Sequence, residues 1–250
     1  MLADERHLKI LSLLKDQGTI KMTELSLITG ASEATIRRDL AVLEKKKLLK
    51  RVHGGAALLK RMSFEPALDE KANKFKKEKQ KIAEKAAGYI ADRDCIYLDA
   101  GTTTAEIIPY LKEKNVTVLT NGIMHIPTLA AAGIPAMIVG GTVKSTTNAI
   151  IGSAAVQFLS QYRFDKCFLG MNGVHPELGY TTPDPEEALL KKTAIQLSTE
   201  AFVLADSSKL NETTFAKAAD ISQALLITDS ADEPALEPFL RNPKIKAVTA

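Results

Sequence analysis

At 250 residues, with 45% hydrophobic and 25% charged residues, the chain has room for two domains and a substantial core, which excludes a disordered or fibrous class. Its net charge of +3 conceals an asymmetry: residues 1–81 carry 19 Lys and Arg against 11 Asp and Glu (+8), and residues 82–250 carry 14 against 19 (−5). A polyanion therefore belongs at the basic end, and the lack of a secretory leader or of about 18 consecutive apolar residues predicts a cytoplasmic chain with no membrane partner.

Arg6, Ile10 and Leu14 repeat at i, i+4 and i+8 and predict a first amphipathic helix, broken at Gly18. A short helical run follows over Met22 to Thr29, and Gly30 makes the turn. Ser32 is an N-cap for a third helix whose inward stripe is Ile36, Leu40 and Leu43. At about 100° per residue, Arg38 points away from that stripe and Arg37 lies on its flank. This is a helix-turn-helix pattern, in which the last helix enters the major groove and arginine reaches guanine edges or phosphates. An ordinary three-helix bundle with a solvated arginine pair is the plainer alternative. Leu48 to Leu58 then reads as strand, Gly54-Gly55 turn and strand, a hairpin wing lined by Lys50, Arg51 and His53. A wing directly after a recognition helix can grip the adjacent backbone or minor groove. The first domain is thus placed at 1–59.

Residues 60–81 hold many lysines and few apolar residues, and read as a basic linker running into an exposed helix. Those lysines form a solvated face, with phosphate contact as the alternative. From residue 82 to 250, helices alternate with short apolar strands: a helix at 82–91, then segments at 95–99, 105–111, 116–120, 123–132, 136–139, 154–160, 166–169, 186–200, 202–205, 225–228 and 246–249. That order predicts an α/β domain with a mainly parallel sheet covered on both faces. Cys95 and Cys167 fall in its strands and read as buried free thiols. The stretches 142–152 and 172–185 read as long loops. The four histidines, His7, His53, His125 and His175, lack metal-ligand spacing, so no metal is expected.

The carboxyl ends of these strands carry small polar residues. Asp99-Ala100-Gly101-Thr102-Thr103-Thr104 runs from strand to helix start, where Gly101 lets backbone approach an anion and hydroxyls and helix N–H groups supply donors. A plain N-cap is the alternative. Thr120-Asn121-Gly122, Gly140-Gly141-Thr142 and Asn172-Gly173 end other strands in the same style, and parallel topology would gather them. Glu187 and Lys191 lie at i, i+4 on one helix face, and Asp206-Ser207-Ser208-Lys209 adds both signs of charge at another strand end. Together these favour a phosphorylated, polyhydroxylated ligand, whereas no Gly-x-Gly-x-x-Gly or Walker pattern supports a dinucleotide or nucleoside triphosphate.

Arg6, Ile10, Leu14, Ser32, Thr35, Ile36, Arg37, Arg38, Asp39 and Leu40, with the 53–56 wing, resemble the N-terminal motif of the DeoR family of bacterial transcription regulators. By that resemblance Ser32, Thr35, Arg37, Arg38, Lys50, Arg51 and His53 contact DNA, and Asp39 orients an arginine or a backbone group. The resemblance extends over Asp99 to Thr104, Thr120-Asn121, Gly140-Gly141, Asn172 to Val174, Glu187, Lys191 and Asp206 to Lys209. It implies an effector domain similar in fold to ribose-5-phosphate isomerase, with Asp99, Gly101, Thr102, Thr103, Thr104, Thr120, Asn121, Gly141, Asn172, Glu187, Lys191, Asp206 and Lys209 as effector contacts. Val143 to Gly152 and Tyr180 to Ala188 look most like the family's fructose-operon repressors. Leu210 departs from the family pattern, where an aromatic commonly follows this lysine. The implied partners are operator double-stranded DNA, a sugar phosphate, with fructose 1-phosphate ahead of tagatose 6-phosphate, and copies of the chain in a homodimer or homotetramer. No cofactor is implied.

The rival reading is a sugar-phosphate isomerase, which needs little beyond an added base. No histidine is expected in the loop cluster, Glu187 is expected beside Lys191, and the DNA-reading half has no place in an isomerase. An interaction scaffold explains neither the arginine helix nor the Gly-Thr-Thr-Thr loop. The sequence therefore reads as a sugar-phosphate-responsive repressor.

Overall fold

The three amphipathic runs of the N-terminal segment fold as α1 (Ala3–Gln17), α2 (Met22–Thr29) and α3 (Glu33–Lys45) in a computed structural model that describes residues 1–46, 48–52, 54–58, 62–229, 233–243 and 245–250. Gly30 ends α2 in the left-handed conformation, φ +68°, where its N–H donates to the Ser26 carbonyl. Ser32 opens α3 as expected, its hydroxyl accepting from the Thr35 N–H at 3.3 Å. Ile10, Leu14, Leu25, Ile36, Leu40 and Leu43 meet in one core, each burial worth about 1.5–3 kcal/mol.

Three residues that the sequence pattern did not mark form β1 (Thr19–Lys21) between α1 and α2. It pairs antiparallel with the second strand of the hairpin, so β2 (Leu49–Val52) and β3 (Gly55–Leu58) belong to a three-stranded wing in the order β1-β3-β2. The two glycines of the turn serve different ends. Gly54 takes φ +77°, while at Gly55 a Cβ would stand 2.1 Å from the Ile20 carbonyl oxygen. Only glycine lets β3 approach β1 so closely.

The chain separates into one packed unit over Met1–Arg61 and another over Met62–Ala250. The linker expected over 60–81 is therefore, from Met62 onward, part of the second unit. The Leu68 N–H donates to the Thr146 carbonyl at 3.1 Å, and the Phe215 N–H to the Met62 carbonyl at 3.1 Å. In chain order the second unit contains α4 (Leu68–Asn73), α5 (Lys76–Ala87), β4 (Cys95–Leu98), α6 (Thr102–Ala105), β5 (Thr117–Thr120), α7 (His125–Ala131), β6 (Ala136–Ile138), β7 (Thr142–Lys144), β8 (Ala149–Ile151), α8 (Ser153–Leu159) and β9 (Phe164–Gly170). It continues with β10 (Gly173–His175), β11 (Gly179–Thr182), α9 (Pro185–Gln196), β12 (Ser198–Leu204), β13 (Ala216–Ala219), β14 (Leu225–Thr228), α10 (Glu233–Leu240) and β15 (Ala247–Thr249).

Seven strands form an all-parallel sheet in the order β15-β14-β12-β9-β4-β5-β6. Alternate residues feed a core on each face: Tyr97, Leu169 and Val203 on one, Ile96, Leu98, Phe168 and Phe202 on the other. The chain steps outward from β4 to β6, returns to the other side of β4 as β9, and then steps away through β12, β14 and β15. The winding reverses between β4 and β9, where open α/β sheets leave a crevice beyond their carboxyl ends.

The stretches expected as long loops are hairpins instead: β7 pairs with β8, and β10 with β11, which also pairs with β13. Strands of three or four residues are too short to show an alternation in sequence. The helix expected at 105–111 is split into α6 and a 3₁₀ turn over Ile108–Leu111, because Pro109 lacks the N–H that an α-helix would use. Cys167 is buried as expected, but Cys95, at the first position of β4, is exposed. Among the described residues no helix is long and apolar enough to cross a membrane.

Candidate functional site

In the first unit, Arg37 and Arg38 stand exposed on α3. Among the described residues Arg37 makes an exposed i, i+4 pair with Glu33, 3.3 Å apart, a weak link that leaves its guanidinium available to a stronger anion. Ser32 and Thr35 sit at the start of the same helix, their hydroxyl oxygens 3.0 Å apart. Asp39 is turned inward and accepts from Arg6 through Nε and Nη2, with His7 Nε2 at 3.1 Å. Burial pushes the Asp39 carboxyl up, but the Arg6 and His7 bonds outweigh it and hold it below the ordinary carboxylate range. Helix α3 is thereby clamped to α1. Lys50 and Arg51 are exposed on β2, and the Arg51 N–H donates to Glu44 Oε1 at 2.8 Å, tying the wing to α3. His53 lies outside the described residues.

In the second unit, Asp99 follows β4 directly at the reversal of winding. Its Oδ2 accepts from the Gly170 N–H at the end of β9, 3.1 Å away, and from Lys191 Nζ. The Asp99 and Lys191 side chains are 2% and 4% exposed. Burial lowers the Lys191 ammonium, but Asp99 and Glu187 outweigh it, so the lysine titrates above its ordinary range and stays charged.

Glu187, expected to pair with Lys191, faces Lys144 at 2.9 Å, and accepts from Thr147 Oγ1 at 3.0 Å and Thr182 Oγ1 at 3.4 Å. The i, i+4 spacing gave Glu187 a neighbour, but the β7–β8 hairpin supplies a better placed one. Thr182 Oγ1 is also 3.1 Å from Asn172 Oδ1, which brings Asn172 into the same network. Lys144 further contacts Asp184, at 2.8 Å, and Glu65. Burial works against its charge, but Asp184, Glu65 and Glu187 outweigh that and raise it.

Several residues expected to face a ligand are committed to the protein. Thr104 Oγ1 donates to the Asp99 carbonyl at 2.6 Å, and Thr120 Oγ1 to the Leu98 carbonyl at 2.6 Å. Asn121 accepts from the Ala100 N–H at 2.7 Å and donates to the Ile150 carbonyl at 3.2 Å. A Cβ on Gly141 would stand 2.6 Å from the Ile151 carbonyl oxygen, so this glycine serves hairpin packing. Thr103 is buried, whereas Gly101 and Thr102 line a cavity of about 220 Å³ with His125, Thr147, Asn148 and the α4 residues Leu68 and Ala72.

His125 overturns the expectation that no histidine joins the cluster. It is buried, with Nδ1 2.9 Å from Thr120 Oγ1 and Nε2 3.4 Å from the Gly101 carbonyl oxygen. Burial pushes its pKa down to about 4, which keeps the imidazole neutral near pH 7. Asp206 is buried and accepts from the Ser208 N–H at 3.1 Å, with Lys209 Nζ 4.0 Å away and its side chain one-third exposed. Nearby Lys79, read from sequence as part of a solvated face, is buried on α5, its ammonium donating to the Lys71 carbonyl. Burial lowers its pKa against the attraction of Asp206. The missed signal was periodic: Lys79, Ile82, Ala83 and Ala86 share one inward stripe at i, i+3, i+4 and i+7. Among the described residues, no three His, Cys, Asp or Glu are grouped so as to hold a metal.

Two family models match the chain, the DeoR-like helix-turn-helix domain over residues 6–62 and the DeoR C terminal sensor domain over residues 74–230. The chain is 49% identical over 249 residues to an uncharacterized HTH-type transcriptional regulator, FruR, of Bacillus subtilis (strain 168), covering 99% of each. It is 32% identical to the lactose phosphotransferase system repressor of Staphylococcus epidermidis, over 90% of this chain and 91% of the relative. Among solved structures, ribose 5-phosphate isomerase A of Methanocaldococcus jannaschii matches with a TM-score of 0.40 and 21% identity over 52% of each chain.

Proposed function

The chain belongs to the DeoR family of transcription regulators, and from that premise we propose that it represses a sugar-utilisation operon and leaves its operator when a sugar phosphate binds the second unit. The observation that carries this reading is the meeting, at the β4–β9 reversal, of carboxylates, hydroxyls and two lysines in a chain that also holds an exposed Arg37-Arg38 helix. Carboxylates and amides suit sugar hydroxyls, and ammonium groups suit a phosphate. Within the crevice, the turn at Gly101 and Thr102, with Lys209, is assigned the phosphate. Asn172, Glu187 and the Asp99–Lys191 pair are assigned the sugar. Fructose 1-phosphate is the leading effector, supported by the similarity to FruR, and tagatose 6-phosphate is second. A homodimer or homotetramer on a two-fold operator, acting in the cytoplasm, completes the reading.

The test begins with DNA selected for binding from a random pool by the purified chain. Fructose 1-phosphate, tagatose 6-phosphate and unphosphorylated fructose are then titrated against the complex. Release by a phosphosugar and not by fructose is expected; retention under every phosphosugar overturns the reading. The same mixtures are assayed for aldose–ketose interconversion, because the buried neutral His125 gives an isomerase its one foothold. Turnover would favour that alternative.

A further inference from the structure

The first residues of the second unit build part of the crevice. Glu65 lies in a stretch without regular structure, yet its side chain is only 8% exposed. Its carboxylate is gripped from two sides, by Lys71 Nζ at 2.8 Å and by Lys144 Nζ. Lys144 is shared with Asp184 and Glu187, both on or capping α9. The following helix, α4, sets Leu68, Asp69 and Ala72 against the cavity whose opposite wall includes Gly101, Thr102 and His125. Single hydrogen bonds add further ties: the Leu68 N–H to the Thr146 carbonyl in the β7–β8 turn, the Phe215 N–H to the Met62 carbonyl, and the Lys79 ammonium to the Lys71 carbonyl.

Three carboxylates thus share the Lys144 ammonium. Two come from a packed helix and its cap, and the third comes from an irregular segment. Glu65 is the arm that can leave with the smallest rearrangement. A buried ion pair adds little net stability, but it reaches full strength in one arrangement only and so defines position. Resting on the reading of this crevice as the effector site, we infer that residues 62–73 are a movable roof over it, clasped shut by the Glu65–Lys144 pair. A ligand in the cavity touches the roof only when the roof is closed. Ligand binding and closure therefore favour each other reciprocally. Residue 62 follows directly on the DNA-reading unit in sequence, so closure acts on the segment of the second unit nearest that unit along the chain.

The experiment is hydrogen exchange of the full-length protein, read over residues 62–73, for the wild type, Glu65→Gln, Lys144→Gln and the double variant. Each is measured alone, with fructose 1-phosphate and with inorganic phosphate. In Glu65→Gln, exchange of the roof amides without ligand should rise by about tenfold while strands β4 and β9 stay protected, the change expected from loss of one charge-assisted bond. Fructose 1-phosphate should slow roof exchange in the wild type, and its affinity should fall by about tenfold in Glu65→Gln. The Glu65→Gln effect should shrink in the Lys144→Gln background. Unchanged roof exchange in Glu65→Gln overturns the inference, as does equal loosening of β4 and β9, which would make the segment plain fold support. If fructose 1-phosphate does not bind the wild type, the effector reading fails separately, and the ligand-free exchange still decides the clasp.

Discussion

The first unit and the second handle charge in opposite ways. Arg37, Arg38, Lys50 and Arg51 stand exposed on a helix and a hairpin adjacent in sequence, whereas Asp99, Lys191, Glu187, Asp206 and Lys79 are buried and drawn from segments far apart in the chain, with Lys191 standing 92 positions from its partner Asp99. An exposed cation costs little to hold and gains when a polyanion arrives and counterions are released. A buried charge is tolerable only if its partners are complete. Function and stability should therefore separate in the first unit and stay entangled in the second.

The sharpest test of that contrast is Lys191→Met. It strands a buried Asp99 and should cost about 3–5 kcal/mol of stability in the second unit, read by denaturant unfolding. A cost near that of a surface change would break the comparison. Acid is the next lever. His125 has a folded pKa of about 4, below the ordinary value near 6.5. The unfolded chain therefore takes up the proton first, and stability present above pH 6.5 is lost as pH falls toward 4, by roughly 3 kcal/mol for this group. An imidazole resonance titrating near 6.5 in the folded protein would rule this out.

On the other side of the comparison, Arg38→Ala should cost about 1–3 kcal/mol of operator affinity and relax preference at one base, with the melting temperature unmoved. A phosphate contact would instead weaken all sequences alike, and unchanged affinity of the Arg37/Arg38 double alanine variant would remove both from the interface. Lys209 lies between the two regimes, partly exposed beside a buried Asp206. Lys209→Ala should still occupy the operator but need about tenfold more effector to leave it, a difference of about 1.4 kcal/mol. Gel-shift titration with and without the phosphosugar measures it, and release at wild-type effector levels would exclude a coupling role.

The same contrast decides what could be read from sequence. In the first unit, cap, stripe and outward arginines are set by helical period within a few residues, so α3 and the hairpin were legible. β1 was not, since three residues carry no period and their place depends on the close approach of Gly55 to Ile20. In the second unit the parallel alternation was legible, and the polar strand ends do gather. Which polar residue faces which was not: Glu187 takes Lys144 from a hairpin 43 positions away, and Lys191 takes Asp99 from 92 positions away. Lys79 shows itself only through the helical period of its stripe, whereas Glu65, Lys144 and His125 carry no local signature of their role, because each acquires it from a partner brought near only by the fold.

The hairpins β7–β8 and β10–β11 lie outside the ladder of seven parallel strands, yet they and their flanks contribute Lys144, Thr147, Asn172 and Thr182 to the crevice. Their turns can lengthen, shorten or change composition without shifting the register of any strand in the main sheet, since added turn residues cost little in closure entropy. Part of the crevice wall is thus carried by appendages on a fixed frame. A lineage built on this plan can reshape the crevice by small edits at the β7–β8 turn and at the Asn172 and Thr182 ends of the other hairpin, and a designer can graft these segments between relatives and leave the main sheet untouched.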